Sequence, residues 1–500
     1  MVKGTIAFLK QTDEIADRRR QEILNAKDCV PIQGISYYVS NHGNDANDGK
    51  TPASAWRTLA RVSDAELCVG DAVLFRRGDL FRGAIRTRPG VTYAAYGEGE
   101  KPKLYGWDKD LADPALWTLC NAEQHIWKYN EKILDCGTLV FNSGEAHSRK
   151  LIPSYINGQF VCRDDESRMF DMACEMTEDL DIVCFYTERM DTKPSKGEDF
   201  PVPVIDEESY GDLYLRCDKG NPGDVFTSVE ALPRRSMLRV GDNANVRIDN
   251  LCLKYIGLHA IAAGGVCNGL HVTNCEIGWI GGTIQHYWGT DPNYPEGRRG
   301  TVTRFGNGIE IYGGCDDYVV ENCYIYQVYD AGITHQVSTY NGSFFMKNIR
   351  YADNLIEYCV YGIEYFLDKI NGDTASYIEN CEMCGNIIRH SGYGWGQQRH
   401  NKHTPAHIKG WSYENTAHNY SIHDNILDRA AYRMVHLVAK EPESCPVMYR
   451  NTYIQKAGLM LGQYGANREK EPEILYFDKH IDESVYDVMK DEGAKIYVIE

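Results

Sequence analysis

The chain has 500 residues, 43% of them hydrophobic, and its 71 acidic against 53 basic residues give a formal net charge of −18. That balance argues against nucleic acid, which demands fields of Lys and Arg, and against an anionic membrane surface. The absence of any apolar stretch of roughly 18 residues argues against a membrane span, and the length alone suggests two or three domains unless a repeat architecture relaxes the count.

At the N-terminus, Met1 to Lys10 carries only a short apolar run before the charged stretch from Asp13 to Arg20. This reads as no export signal, and a cytoplasmic location is expected. The 17 cysteines lack paired CxxC spacing, since Cys381-Glu382-Met383-Cys384 stands alone, so reduced, buried thiols are expected. Ile15, Ala16, Arg19, Ile23 and Leu24 set among charges predict an amphipathic helix over 12–28, part of an N-terminal cap spanning 1–34.

From Ile35 the character changes to strands and turns, with Ile35–Ser40 followed by the turn-dense Asn41–Lys50, then strands at Ala72–Arg76 and Val91–Tyr96. These place the first strands of the stack at 35–109. Residues 110–235 lack the later repeat and read as an inserted β-rich segment. Over 236–465, Asn250, Asn274, Asn322, Asn354, Asn386, Asn425 and Asn451 each close a β-rich run. Asn tolerates left-handed backbone, and stacked Asn side chains hydrogen-bond along a stack. A C-terminal cap is expected at 466–500.

Four segments within this region superpose: Asn307–Tyr312, Ala331–Gln336, Tyr361–Phe366 and Tyr432–Leu437. Aligned, they give an outward column of Glu310, Thr334, Glu364 and Val435 and predict an all-β fold, a single-stranded right-handed parallel β-helix. His335 and His436 fall in the adjacent, inward column.

Two groups of residues carry a family resemblance. Tyr37-Tyr38-Val39-Ser40, Gly43-Asn44-Asp45, Asp48-Gly49, Pro52 and Trp56-Arg57-Thr58-Leu59 resemble the opening of pectin-lyase-like β-helix carbohydrate enzymes. Asn307–Glu310, Tyr329-Asp330-Ala331 with Thr334 and Gln336, Glu364-Tyr365, and Gly392–Gly396 with Gln398-Arg399 are similar to motifs of bacterial β-helix proteins near glycoside hydrolase family 141, which holds α-L-fucosidases and xylanases. The resemblance covers roughly 35–440 and implies a glycosidase on a β-helix.

Chemistry is expected from Asp330, Glu364 and Glu310. Two rungs of about 4.8 Å place the glutamate attachment points roughly 9 to 10 Å apart, near the ~6.5–9.5 Å of an inverting pair, while Asp330 with either glutamate could close to the ~5–5.5 Å of a retaining one. Asp330 and Glu364 are the expected acting pair, with Glu310 assisting or binding sugar. His286, Trp288, Thr334, Gln336, Tyr365, Asp368, Trp395, Gln398, Arg399 and His400 are the expected substrate contacts, with Trp288, Tyr365 and Trp395 stacking on sugar faces. The run His390, His400, His403, His407, His418, His423 matches no zinc spacing, so no metal is expected.

The leading expectation is an intracellular glycoside hydrolase without a cofactor. Its partner is a carbohydrate, not nucleic acid or membrane, and homo-oligomerisation stays open. A second reading is a polysaccharide lyase or uronate epimerase with Ca²⁺ on Glu310 and Glu364 and Lys369 or Arg399 as base. A third is a non-catalytic carbohydrate-binding solenoid.

Overall fold

A computed structural model describes residues 2–4, 6–27, 30–150, 153–156, 159–162, 184–187, 192–194, 201–203, 211–288, 301–399, 404–466 and 471–500. Strands dominate, and most of them run parallel in two large sheets. Beginning at Ile309, the chain runs along Ile309–Glu321, turns at Asn322, continues as Tyr324–Val328 and returns as Ala331–Ser338 beside its own start. Each later circuit repeats this path. The front sheet therefore orders Ile261–Asn268, Ile309–Glu321, Ala331–Ser338, Tyr361–Asp368, Ala406–Gly410, Arg433–Ala439 and Met460–Ala466, all parallel.

Alternation fills the interior. Ile309, Ile333, Ile363, Ile408 and Val435 lie in register and are fully buried, each such side chain contributing about 1.5–3 kcal/mol. This register corrects one expectation. The last segment is shifted by one residue, so Val435 faces inward and His436 takes its place outside. A one-residue slip exchanges the two faces of a strand.

The asparagines divide into two neighbouring lines at one corner. Asn250, Asn274 and Asn322 take left-handed backbone, as expected, but in later circuits Asp353, Gly385, Asp424 and Arg450 hold that conformation. Asn354, Asn386, Asn425 and Asn451 follow one position on and point inward, in line with Cys275 and Cys323. Asn354 Nδ2 donates to Asn386 Oδ1 at 2.9 Å, Asn386 to Asn425 at 2.9 Å, Asn425 to Asn451 at 3.0 Å, and Asn451 to Asp491 Oδ2 at 2.8 Å.

The helix runs from Ile6 to Leu24 and does not cap an end of the stack. It lies along the outside of the second sheet. Val2–Gly4 pairs with the last strand, Lys495–Ile499; Asp13 pairs with Arg389 and Arg429; Arg20 reaches Glu357 at 2.7 Å; and Lys27 O accepts from Asn250 Nδ2 at 3.0 Å. Nineteen residues at about 1.5 Å each match six rungs of about 4.8 Å. Ala16 and Ile23 anchor it against Leu355 and Ile387. Ile23→Ala is expected to lower stability by about 2–4 kcal/mol, read as a fall in the urea midpoint.

The described parts of the insertion pair antiparallel except for Arg149–Lys150, which runs parallel to Cys184–Thr187. Trp117–Asn121, Ile126–Tyr129 and Leu213–Arg216 lie side by side, Cys136–Phe141 pairs with Val229–Pro233, and the two groups share a separate core around Trp117, Tyr129 and Leu215. Thirteen cysteines have described side chains, all of them free and ten of them buried. No described helix is long and apolar enough to cross a membrane.

Candidate active site

The outward column of the front sheet reads Glu310, Thr334, Glu364, Lys409, His436 and Gln463, each paired in register with the next. Glu310 and Glu364 thus stand two rungs apart with Thr334 between them. Thr334 is fully buried, and its Oγ1 has no partner among the described residues. Asp330 enters from the corner before the Thr334 strand, where its N–H donates to Gly306 O at 3.3 Å and its carbonyl accepts from Tyr361 N–H at 3.0 Å.

The three acids occupy different electrostatic settings. Glu364 accepts from Lys409 Nζ at 3.0 Å, with both side chains buried. Burial works against the Lys409 charge, but Glu364 and Tyr361 together outweigh it and hold the ammonium above its usual range. Asp330 accepts from the buried Arg399, whose guanidinium lies near the Tyr329 and Tyr361 rings at 6.0 and 5.7 Å. Two of the carboxylates are therefore charge-balanced.

Among the described residues no Lys or Arg pairs with Glu310. Its Oε2 accepts from Asn307 Nδ2 and lies 3.1 Å from His259 Nδ1. That nitrogen already accepts the Asn307 N–H at 3.0 Å, so it presents a lone pair. The single lone pair of that nitrogen is taken by the Asn307 N–H, so an ionised Glu310 gains no hydrogen bond from it. The electrostatics agree. Burial, together with the negative charges of Asp330 and Glu364, pushes the Glu310 carboxyl up to about 8 against the pull of Asn307. Burial likewise drives His259 down to about 4. Burial thus favours the neutral form of Glu310, while Glu364 and Asp330 each stand against a cation.

Several expected contacts lie elsewhere. Tyr365 points into the core, stacked on His335 at 5.3 Å, because it is one residue out of phase with Glu364. Trp395 is buried against Tyr329, with its Nε1 donating to Gln327 O at 2.8 Å, so no ring face is open to sugar. Gln398 is spent on the insertion, accepting from Lys150 N–H at 3.1 Å and donating to Ser148 O at 2.9 Å. Gln336 shares the outward face of Thr334, with its Oε1 unpartnered among the described residues, while Asp368 sits at the far end of its strand beside Ser338. His286 and Trp288 belong to a hairpin ahead of the Glu310 strand, in register with Thr303 and Thr301. His400 lies outside the described residues.

Three residues of the site were not expected. His259 begins a segment, His259-Ala260-Ile261-Ala262, that aligns with Asn307–Glu310. Lys409 belongs to a further repeat, Ala406–Gly410, that follows the histidine-rich loop. Arg433 donates to His436 Nδ1 and to Gln463 Oε1, the latter at 3.1 Å. The one-residue slip hid it.

Metal-ligand groupings among the described residues lie away from this face. In Asp13, His390 and Asp428 the acids bind the Arg389 and Arg429 guanidiniums, and in Glu382, Cys384 and His423 Arg350 donates to both the carboxylate and the thiol. The bases of the lyase reading are engaged, Arg399 with Asp330 and Lys369 with Thr416 Oγ1 at 2.7 Å. A cavity of about 230 Å³ opens beside Arg399, lined by Val360, Gly396, Pro405 and Tyr432. A larger one, about 790 Å³, lies at the C-terminal end of the helix beside Lys27, Arg77 and Lys101, not on the front face.

No family model matches the chain. A lacto-N-biosidase of Bifidobacterium longum subsp. longum is 36% identical over 81 residues, 14% of this chain and 5% of that protein's length. Among solved structures, a GH136 lacto-N-biosidase from Eubacterium ramulus aligns over 99% of this chain and 70% of its own, at 12% identity and a TM-score of 0.33. A complex of XylC with xylose aligns over 93% and 83%, at 11% identity and a TM-score of 0.38. A further glycoside hydrolase aligns over 93% and 97%, at 12% identity and a TM-score of 0.37.

Proposed function

We propose that the protein is a glycoside hydrolase built on a right-handed parallel β-helix of the pectin-lyase-like kind, near family 141, acting on a carbohydrate in the cytoplasm without a metal. The observation that carries this reading is the buried Glu310 carboxyl, pushed up to about 8, set two rungs from the Lys409-paired Glu364 across a Thr334 hydroxyl that has no partner among the described residues.

Glycoside hydrolysis needs one carboxylic acid to protonate the leaving oxygen and one carboxylate to activate water or attack. Glu310 is the proton donor. Glu364 is the base, holding water with Thr334 Oγ1, and the roughly 9–10 Å between attachment points leaves room for that water, as inversion requires. Asp330, clamped by Arg399, adds negative charge that favours the oxocarbenium-like transition state. Gln336, Asp368, His286, Trp288 and His400 are the proposed sugar contacts.

The test is a panel of aryl glycosides assayed for release of the aryl group and for product anomer by NMR. Glu364→Gln and Asp330→Asn are each expected to lower kcat/KM at least 100-fold and, because each leaves a buried cation without its acid, to lower the urea midpoint as well, so activity is read well below that midpoint. Full activity in Glu364→Gln, or a product of retained anomeric configuration, would overturn the assignment.

A further inference from the structure

The cavity at the tail of the N-terminal helix plays no part in the chemistry of the front face. At about 790 Å³ it has the size of a small-molecule site, and its walls come from the helix tail, residues 97–101 and the second sheet. Five cations line it, Lys27, Arg77, Lys101, Lys103 and Lys254, against three acids. Two of those acids are already taken, Glu100 by Lys103 at 2.8 Å and Glu276 by Lys254, which leaves Glu98. The wall is therefore locally positive in a chain whose net charge is −18.

Lys101 is the centre of that excess. It is 3% exposed, yet among the described residues no carboxylate forms an ion pair with it, and its Nζ donates to the neutral Asn250 Oδ1 at 2.6 Å. Taking an ammonium out of water without an acid beside it is costly. Burial holds Lys101 below its usual range, the charge of Arg77 adds to the effect, and Asp249 opposes it only at longer range. The helix tail does not supply the missing anion, because its end carbonyls are engaged: Ala26 O accepts from Arg77 at 3.3 Å and Lys27 O accepts from Asn250 Nδ2 at 3.0 Å. Asn250 thus joins the Lys101 ammonium to the helix tail.

We propose that this cavity binds a small molecule through a phosphate group, with Lys101 at its floor and Lys27 and Lys103 at its rim. Lysine offers a compact point charge with rotatable donors, which suits a tetrahedral oxyanion, whereas a planar carboxylate favours the fork of an arginine. The arginine that lines the cavity, Arg77, directs its Nη groups to the carbonyls of Ala26 and Gly99. A bound phosphate supplies the charge that Lys101 lacks and fastens the helix tail to the stack. The inference does not depend on the glycosidase reading.

The experiment titrates the full chain with inorganic phosphate, glycerol 1-phosphate, acetate and glycerol at one ionic strength, followed by calorimetry. Both phosphates are expected to bind at least tenfold more tightly than acetate, with no binding of glycerol. Lys101→Met should weaken phosphate binding at least tenfold. Because that change leaves Asn250 Oδ1 without its donor, folding is checked by the urea midpoint. Lys27→Gln, on an exposed side chain, should weaken binding about threefold with the midpoint unchanged, the effect of one solvent-screened charge. Hydrogen exchange locates the site: phosphate should slow exchange in the helix tail and at residues 97–101 and leave the front strand Tyr361–Asp368 as it was.

Tighter binding of glycerol 1-phosphate than of inorganic phosphate assigns a phosphate ester, and the reverse assigns free phosphate. Acetate binding as tightly as phosphate would overturn the phosphate assignment. Unaltered binding in Lys101→Met and Lys27→Gln, protection confined to the front sheet, or no saturable phosphate binding at all would overturn the site.

Discussion

Replacing Glu310 with Gln is expected to lower kcat/KM by about 10²–10⁴ on glycosides with poor leaving groups, the range typical of a lost general acid. The fold should survive, because Gln keeps the shape and can still accept from Asn307. The loss should shrink on aryl glycosides whose leaving group departs readily without a proton, and this dependence separates a proton donor from a base. In the unaltered protein activity should fall above about pH 8, where Glu310 ionises, and Glu310→Gln should lack that limb. Equal losses on both substrate types would remove the acid role.

The same carboxyl couples stability to pH. Its value is raised from the ordinary 4.5 to about 8 in the folded protein. Between these values the folded chain binds a proton that the unfolded chain has released, so stability falls as pH rises through the window and levels off above it. Glu310→Gln should match the unaltered protein near pH 4 and be more stable by a few kcal/mol above pH 8, at roughly 1.4 kcal/mol per unit. Urea midpoints at the two pH values measure this.

The second large effect is on the buried amide ladder. Asn386 accepts from Asn354 N–H and Nδ2 at 3.1 and 2.9 Å and donates to Tyr351 O and Asn425 Oδ1, both at 2.9 Å. Asn386→Leu removes all four bonds and strands partners that no water reaches. At about 1–3 kcal/mol for a buried orphan, partly offset by relaxation, the expected loss is roughly 3–5 kcal/mol in urea unfolding. A comparison sits on the surface, where Asn380 donates to Asn348 Oδ1 at 3.0 Å with left-handed backbone. Asn380→Gly keeps that backbone and should cost under about 1 kcal/mol. Similar losses at the two positions would deny the inner ladder its role.

What was legible in the chain follows from locality. Alternation within a strand is local, so the segments around Glu310, Thr334 and Glu364 placed those residues outward and in register. The Tyr432–Leu437 segment has no Gly-Ile pair to anchor it, and alternation alone fits two registers one residue apart. The Ala406–Gly410 repeat lay hidden behind a histidine-rich loop that invited a metal reading. What covers an outward face is non-local. Trp395 and Gln398 looked like groove residues because aromatic and amide side chains suit sugars, but packing against Tyr329 and the insertion had already claimed them. The swap of Asn for Cys along one corner had no signal, since either side chain fits a tight inner position.

The helix that lies along the second sheet changes how the whole stack can come apart. A linear array of rungs loses its end rungs first, each held by one neighbour. Here the end strand Lys495–Ile499 is clasped by Val2–Gly4, and the helix fastens that clasp to the middle of the stack. Fraying at the last rung therefore drags on residues hundreds of positions away. The clasp also occupies an edge that would otherwise recruit a strand from another chain.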